Sequence, residues 1–315
     1  MIFRFIAAKR AEHSIKTMCR VLEVSRSGFH AWQKRPPSAR QREDERLTAR
    51  IREIHRANRR VYGSPRIHAE LRLADGIRVG RKRVERLMRA AGITGMVARK
   101  RGRTTIRVPG VRVCKDLVDR AFGAAAPNRL WVADITYLRT WEGWLYLVAV
   151  QDVYSRRIVG WSMADHMRTE LVTDALQMAL AQRRPAPGLI WHSDQGSQFV
   201  SLAFGQQARA AGIAQSMGSR GDCFDNAVAE SFFATLKKEL IHGRSWPSKA
   251  ELRTEVFEYI EIFFNRRRRH STLGMLSPAD YENRTLDLRG TSLAASRLAS
   301  THKIKFTAPT QSAIA

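Results

Sequence analysis

Residues 130–164 read LWVADITYLRTWEGWLYLVAVQDVYSRRIVGWSMA. This stretch holds three runs rich in β-branched and aromatic residues, separated by Gly143 and by a polar segment. The runs are Leu130–Arg139, Trp144–Asp152 and Ile158–Ala164. Such runs with turn residues between them predict an antiparallel meander of three strands. Asp134 stands in the middle of the first run, where a charge is costly unless it has a partner.

After the meander, helical and strand patterns alternate. The predicted elements are a helix over Thr169–Gln182, a strand over Leu189–His192, a helix over Leu202–Ala211 and a strand over Ile213–Ser216. Longer helices are predicted over 225–242 and 249–264. This order is typical of an α/β fold with a mixed sheet covered by helices. We expect this α/β core to cover 128–243, followed by a helical extension over 244–283 and a disordered tail over 284–315.

The amino-terminal part of the chain is strongly basic. Residues 1–120 hold 32 Lys and Arg against 11 Asp and Glu, in a chain of 315 residues with a net charge of +26. An excess of this size favours a phosphate-rich partner, and nucleic acid above all. A solubilising surface or a membrane-surface patch is the alternative. No apolar run approaches the roughly 20 residues of a membrane span. The three cysteines are widely spaced, which argues against a disulfide framework. We therefore expect a soluble intracellular protein.

Two helical segments precede the strands. In the first, over 1–37, Ile15, Met18, Cys19 and Leu22 share one helix face, and Ser25 is placed to cap a second helix. The pattern fits either a helix-turn-helix or a plain helical hairpin. The second segment, over 42–98, is predicted to contain three helices, and a basic linker over 99–127 follows it.

The last helix of the second segment, over 81–91, is rich in cations. Its candidate DNA-binding residues are Arg81, Lys82, Arg83 and Arg86. Three helices with a basic third one favour a helix-turn-helix that reads duplex DNA, with a solvated charged face as the alternative.

Two further acids stand out beside Asp134. Asp194 follows the strand 189–192, at the end where open α/β sheets place their sites. Glu230 lies off the apolar stripe of the helix 225–242. Lys237, seven residues further on, lies on the same face of that helix as Glu230, to within about 20°. Three carboxylates without a His or Cys cluster suit Mg²⁺ or Mn²⁺, and two such ions catalyse in-line phosphoryl transfer. Asp194 and Glu230 have 35 residues between them, a spacing that also arises by chance among 13 Asp and 16 Glu.

The local sequences around the three acids are more specific. Residues 131–137 read WVADITY, 192–199 read HSDQGSQF and 225–239 read DNAVAESFFATLKKE. They resemble the retroviral-integrase-like core of bacterial transposases, and most closely the second-frame (OrfB) product of the insertion-sequence-three family. The run FNRRRRHSTLG at 264–274 resembles the ending of that family, and MCRVLEVSRSGFHAW at 18–32 resembles its front.

The resemblance covers about residues 14–283 and implies a ribonuclease-H-like core. It implies that Asp134, Asp194 and Glu230 are the catalytic triad and bind two Mg²⁺ or Mn²⁺ ions. It also implies DNA cleavage at element ends by water, followed by transfer of the 3′-hydroxyl to a new phosphodiester. Lys237 would contact the DNA end, and Asn226 would support the site.

Other motif residues have two interpretations each. The residues His192, Ser193, Gly196 and Gln198 either shape the loop around Asp194 or contact the substrate. Arg268 and His270 either bind DNA phosphate or pack the terminal helix.

The expected partners are double-stranded DNA at the inverted-repeat ends and the target, a second copy of the chain on DNA, and an upstream-frame (OrfA) protein or fusion. From its start at Met1 we expect the chain to be the isolated second-frame product, and we expect the tail after residue 283 to be an altered end. The rival functions are a DNA-binding repressor of the same element and a ribonuclease-H-type nuclease. The presence of all three acids and Lys237 favours the enzyme, and the basic front favours duplex DNA.

Overall fold

The computed structural model describes residues 2–96, 117–118, 123–194, 196–217 and 227–287. Most of the predicted linker, the tail after Asp287 and the candidate residue Asn226 lie outside these ranges. The helices before the sheet are α1 Ile2–Ala8, α2 Ile15–Val21, α3 Arg26–Lys34, α4 Ala39–Ala57, α5 Ser64–Leu73 and α6 Arg81–Ala90. None of the described helices is both long and apolar enough to cross a membrane.

The sheet and its helices follow. They are β1 Leu130–Thr140, β2 Gly143–Asp152, β3 Ile158–Ala164, α7 Thr169–Arg183, β4 Ile190–Ser193, α8 Leu202–Ala210, β5 Ala214–Met217, α9 Ala227–Leu236 and α10 Lys249–Phe257. Both α9 and α10 continue as π-helical segments, over Lys237–Ile241 and Glu258–Phe264. A last helix covers residues 278–287.

The five strands form one mixed sheet in the order β3-β2-β1-β4-β5. β1, β2 and β3 are antiparallel neighbours, while β4 runs parallel to β1, and β5 parallel to β4. The predicted meander and the predicted mixed sheet are therefore confirmed.

Hydrophobic clusters cover both faces of the sheet. Helices α7 and α8 close one face over Trp131, Leu176 and Trp191. At Gly160 on β3, an added Cβ would lie 2.7 Å from the Cβ of Ala179, so this glycine lets α7 approach the sheet closely. The other face is covered by α9, α10 and their π-helical continuations.

The second cluster continues without a break into the three-helix unit α4–α6. A polar interface also joins this unit to the end of the core. Arg269 bonds Glu70 through two nitrogens, each at 2.9 Å, and its backbone N–H donates to the Tyr62 hydroxyl at 2.8 Å. Arg59 pairs with Glu255 at 2.5 Å. Sequence patterns did not predict this docking, because every pair in it is distant along the chain.

The first three helices enclose a small cluster of their own, with Ile6, Met18, Cys19 and Phe29 buried. Ser25 caps α3 as predicted, since its hydroxyl accepts the Gly28 N–H at 3.0 Å. Helix α1, which supplies Ile6, was not predicted.

Several predicted boundaries differ from the structure by one or a few residues. The helix predicted over 225–242 changes to π-helical geometry at Lys237. Its apolar residues recur every four positions, so on a regular α-helix the stripe would drift by about 40° per repeat. A wider turn corrects such a drift. The last helix reaches residue 287, so four residues of the predicted tail are helical.

Candidate active site

Asp134 and Asp194 come from neighbouring parallel strands. The last paired residues of β1 and β4 are Val132 and His192. Asp134 lies two positions further along β1, and Asp194 lies two positions beyond His192, just after β4 ends. Parallel strands bring their carboxyl ends to one edge of the sheet. The register therefore brings the two carboxylates to the same place.

The half-buried Asp134 has a strongly perturbed carboxyl group. Its Oδ1 accepts the N–H of Ile135 at 2.7 Å. Burial first, and then the negative charges of Asp194 and Glu230, raise the pKa of Asp134 to about 7, against the opposing effect of Lys237. A carboxylate held this way is stabilised in its ionised form by a cation placed between it and its acidic neighbours.

Asp194 is exposed and opens a turn after β4. Its Oδ1 accepts the N–H of Gly196 at 3.0 Å, and the Gln198 amide donates to the Met167 carbonyl at 2.9 Å. His192, by contrast, is buried, and its Nδ1 is 2.9 Å from the hydroxyl of Ser216. Ser193 is also buried. Burial favours the loop-shaping interpretation for His192 and Ser193, whereas Gly196 and Gln198 line the cleft described below.

The third acid is carried by α9, which packs against β1 and β2. Buried Phe232 and Leu236 attach the helix to the core, and Glu230 is exposed. Partial burial raises the pKa of Glu230. Lys237 is half-buried, and burial lowers the pKa of its ammonium group, while the charge of Asp134 opposes this change. Asp134 therefore interacts electrostatically with both Glu230 and Lys237.

A cleft of about 610 Å³ opens at this edge of the sheet. It is lined by Asp134, Ile135, Tyr137, Trp144, Tyr146, Met167, Asp194, Gly196 and Gln198. Within the part of the chain that the structure describes, no three His, Cys, Asp or Glu side chains are close enough together to hold a metal ion. The oxygen-only donor set and the raised pKa of Asp134 nevertheless fit a hard divalent cation.

The predicted DNA-binding residues of α6 divide into two pairs. Arg81 and Lys82 are exposed at the start of the helix. Arg83 and Arg86 both bind Asp44 on α4, with nitrogen–oxygen distances of 2.8 and 2.7 Å. Two of the four cations therefore form ion pairs inside the α4–α6 unit.

Arg268 and His270 both lie in the interior of the protein. The guanidinium of Arg268 donates to both carboxylate oxygens of Glu239, at 2.8 and 2.7 Å. The His270 ring packs edge-on against Phe264, with centroids 4.9 Å apart. Both residues are 5% exposed, which favours the packing interpretation. The sequence alone leaves phosphate binding open for Arg268, because its acidic partner Glu239 is 29 residues away along the chain.

Sequence reasoning missed two features around the site. One is an aromatic pair on the β1–β2 hairpin, Tyr137 and Trp144, at the mouth of the cleft. The available signal was the interleaving of aromatic and basic residues in YLRTWEGW, residues 137–144. The other is buried Glu239, which also accepts the Tyr259 hydroxyl at 2.8 Å and anchors the helix that carries Glu230.

Comparisons with known proteins agree with this arrangement. Two integrase core domain models match residues 124–223 and 230–286, and an HTH-like domain model matches residues 41–101. The transposase InsF for insertion sequence IS3A of Escherichia coli K12 is 42% identical over 288 residues, which cover 91% of this chain and all of that protein. An uncharacterized 31 kDa protein of insertion element IS600 from Shigella sonnei is 42% identical over 267 residues, covering 85% and 98% of the two chains.

Solved structures show a weaker likeness. A simian T-cell lymphotropic virus intasome chain is 13% identical with a TM-score of 0.42, and covers 74% of each chain. The HTLV-2 integrase catalytic core domain in complex with magnesium, in its trimeric form, is 15% identical with a TM-score of 0.40, covering 50% of this chain and 98% of that one.

A mixed sheet with an integrase core and a helix-turn-helix-like front defines an integrase-type enzyme. The 42% identity extends over 91% of this chain and all of the IS3A transposase. The chain belongs to the IS3 family of transposases.

Proposed function

We propose that the chain cuts DNA at the ends of its insertion sequence in a reaction that needs Mg²⁺ or Mn²⁺, and then joins the freed 3′-hydroxyl to target DNA. The observation that carries the proposal is the register of Asp134 and Asp194 at one sheet edge. Glu230 on the neighbouring helix completes the acidic set through its charge interaction with Asp134. Both steps displace an oxygen at phosphorus, so one site serves for cleavage by water and for transfer by a hydroxyl.

Asp134, Asp194 and Glu230 would hold the metal, in the two-ion arrangement proposed for this class of chemistry. Bound divalent cations would supply charge neutralisation at the phosphate and activation of the attacking oxygen. Magnesium is present in the HTLV-2 integrase core structure, which supports the choice of metal.

The side chains around the carboxylates would position the DNA. Lys237 interacts with the charge of Asp134, and its ammonium group would hold a phosphate next to the reacting one. Arg81 and Lys82 at the start of α6 would contact backbone phosphates of the element end. Asn226 is proposed to support the site from the segment before α9.

The expected partners follow from the reaction. Transposition joins two element ends to one target, so we propose that at least two copies of the chain act together on double-stranded DNA. An upstream-frame protein, as a partner or as a fusion, is proposed to complete end recognition. The reaction would take place in the cytoplasm, on nucleoid DNA.

The test uses labelled duplex that carries the inverted repeats flanking this gene. Nicking at the 3′ end and strand transfer are followed with Mg²⁺, for the wild type and for Glu230→Gln. Glu258→Gln is the matched control, since it removes the same charge from an exposed position on another helix. The proposal expects metal-dependent cutting in the wild type and the control, and none in Glu230→Gln. Cutting that persists in Glu230→Gln would overturn it. Binding without cutting, also with the upstream frame fused, would favour the repressor.

A further inference from the structure

Two aromatic side chains form a rigid, exposed pair at the mouth of the acidic cleft. The rings of Tyr137 and Trp144 meet edge to face, with centroids 5.1 Å apart and an interplanar angle of 84°. Mutual contact holds both rings in place, yet Tyr137 is 59% exposed and Trp144 is 45% exposed. Rings this exposed add little to the buried core, and exposed apolar surface commonly marks a binding site.

Cations accompany both rings. The Lys237 ammonium nitrogen lies 5.2 Å from the centroid of the Tyr137 ring. The guanidinium carbon of Arg139 lies 6.0 Å from the centroid of the Trp144 ring. Aromatic rings interleaved with cations are the surface on which unpaired nucleotides bind, since bases stack on the rings and phosphates pair with the charges. A purely apolar protein partner would not explain the cations.

The position of the pair relative to the carboxylates is fixed by the sheet. Tyr137 is three residues beyond Asp134 on β1, about 10 Å along the strand. Arg139 is the register partner of Trp144 across the hairpin. Tyr137 and Trp144 line the same cleft as Asp134 and Asp194, so a nucleotide on these rings would share that cleft with a phosphate at the carboxylates.

We propose that Tyr137 and Trp144 form a stacking platform for an unpaired base at the DNA end being processed. The inference rests on the proposed function and deepens it, because it names a frayed end, with its terminal pairs opened, as the substrate form bound at the cleft. Rings held rigidly lose little freedom when a base stacks on them. The platform would thus favour an opened end over a fully paired one.

The experiment measures binding of the full-length chain to two duplexes of the element end, in EDTA so that no cutting occurs. One duplex is fully paired, and the other has its two terminal pairs mismatched. Each carries 2-aminopurine at the terminal position, so that anisotropy gives the affinity and quenching reports stacking. The variants are Trp144→Leu, Tyr137→Leu and the ring-preserving Trp144→Phe. The control is Trp141→Leu, a 75% exposed tryptophan at the turn of the same hairpin that does not line the cleft.

The wild type is expected to bind the frayed duplex about tenfold more tightly than the paired one, with quenching of the probe. Trp144→Leu and Tyr137→Leu should lose most of that preference while their affinity for the paired duplex stays unchanged, and Trp144→Phe should restore it. Circular dichroism and thermal unfolding of each variant verify that it folds.

The platform is overturned if the wild type shows no preference for the frayed end. It is also overturned if Trp141→Leu loses as much of the preference as Trp144→Leu. Neither result depends on cutting, so failure of the platform is distinct from failure of the proposed transposition chemistry. A wild type that prefers frayed ends but never cuts would reject the chemistry and keep the platform.

Discussion

Asp134 and Asp194 each stand two residues beyond the same register pair, Val132 and His192, of the parallel strands β1 and β4. Neighbouring strands are about 4.8 Å apart, so two acids in register at the end of the pair feel each other's charge. This repulsion adds to the burial of Asp134 and helps raise its pKa to about 7. A carboxylate whose ionisation is disfavoured in this way is poised to take up a divalent cation.

The third acid depends on an anchor behind it. Glu230 is carried by α9, and Glu239 in the π-helical continuation of that helix binds Arg268 and Tyr259. Arg66 of the helix-turn-helix-like unit lies 3.7 Å from the same carboxylate. The orientation of the catalytic helix is thus linked to the docking of the DNA-binding unit.

Replacing Arg268 should destabilise the fold without altering phosphate contacts. Arg268→Met leaves the buried carboxylate of Glu239 without its bidentate partner, which costs about 3–5 kcal/mol of unfolding free energy. Chemical denaturation measures this loss. The control is Arg266→Met, an exposed residue of the same basic run, with an expected change within about 0.5 kcal/mol. Equal, small losses in both variants would contradict the buried pair.

The exposed cations of α6 should account for part of the salt dependence of DNA binding. Arg81→Ala and Lys82→Ala are each expected to lower the slope of log affinity against log salt by about one, since each removes a phosphate contact. Arg253→Ala removes an exposed charge from α10 and should leave the slope as it is. Unchanged slopes for Arg81→Ala and Lys82→Ala would mean that α6 does not face the DNA backbone.

The buried imidazole of His270 predicts a loss of stability in acid. Burial first, and then the positive charges of Arg268, Arg156 and Arg66, lower the pKa of His270 to about 2. Between the unfolded value of about 6.5 and this folded value, the unfolded chain takes up a proton that the folded chain does not. Unfolding free energy therefore falls with decreasing pH, by about 1.4 kcal/mol per pH unit from this residue.

His270→Phe keeps an aromatic ring against Phe264 and removes the titration. Its unfolding free energy is measured from pH 6 to 4.5. It should fall less steeply than that of the wild type, by about 1.4 kcal/mol per pH unit. Parallel curves for the two proteins would show that His270 is not a buried neutral imidazole.

Much of the fold was predictable because the strands and helices have clear local patterns. The β-branched and aromatic run of β1 and the Ser25 cap of α3 are both properties of a few adjacent residues. Asp134 was also predictable as a candidate, because a charged residue in a central strand conflicts with its surroundings. The proximity of Asp134 to Asp194 follows once β4 is known to be the parallel neighbour of β1.

The features that could not be predicted depend on distant residues. The run of arginines at 266–269 has the composition of a phosphate-binding segment, and only the folded chain shows that Arg268 pairs with Glu239 and Arg269 with Glu70. The docking of α4–α6 on the core likewise depends on pairs of residues that are distant along the chain. Tyr137 and Trp144 have the sequence pattern of ordinary strand residues, and their role depends on exposure at the cleft.

The central claim, that one carboxylate site performs both cutting and joining, is tested most directly with Asp134→Asn on two substrates. One is the intact element end, and the other is a precut end with its free 3′-hydroxyl. Asp174→Asn, on the exposed face of α7, is the matched control. We expect Asp134→Asn to lose both nicking and strand transfer in Mg²⁺ while its affinity for DNA stays at the wild-type level. Strand transfer of the precut end by Asp134→Asn, or loss of DNA binding together with cutting, would contradict a single catalytic site built on Asp134.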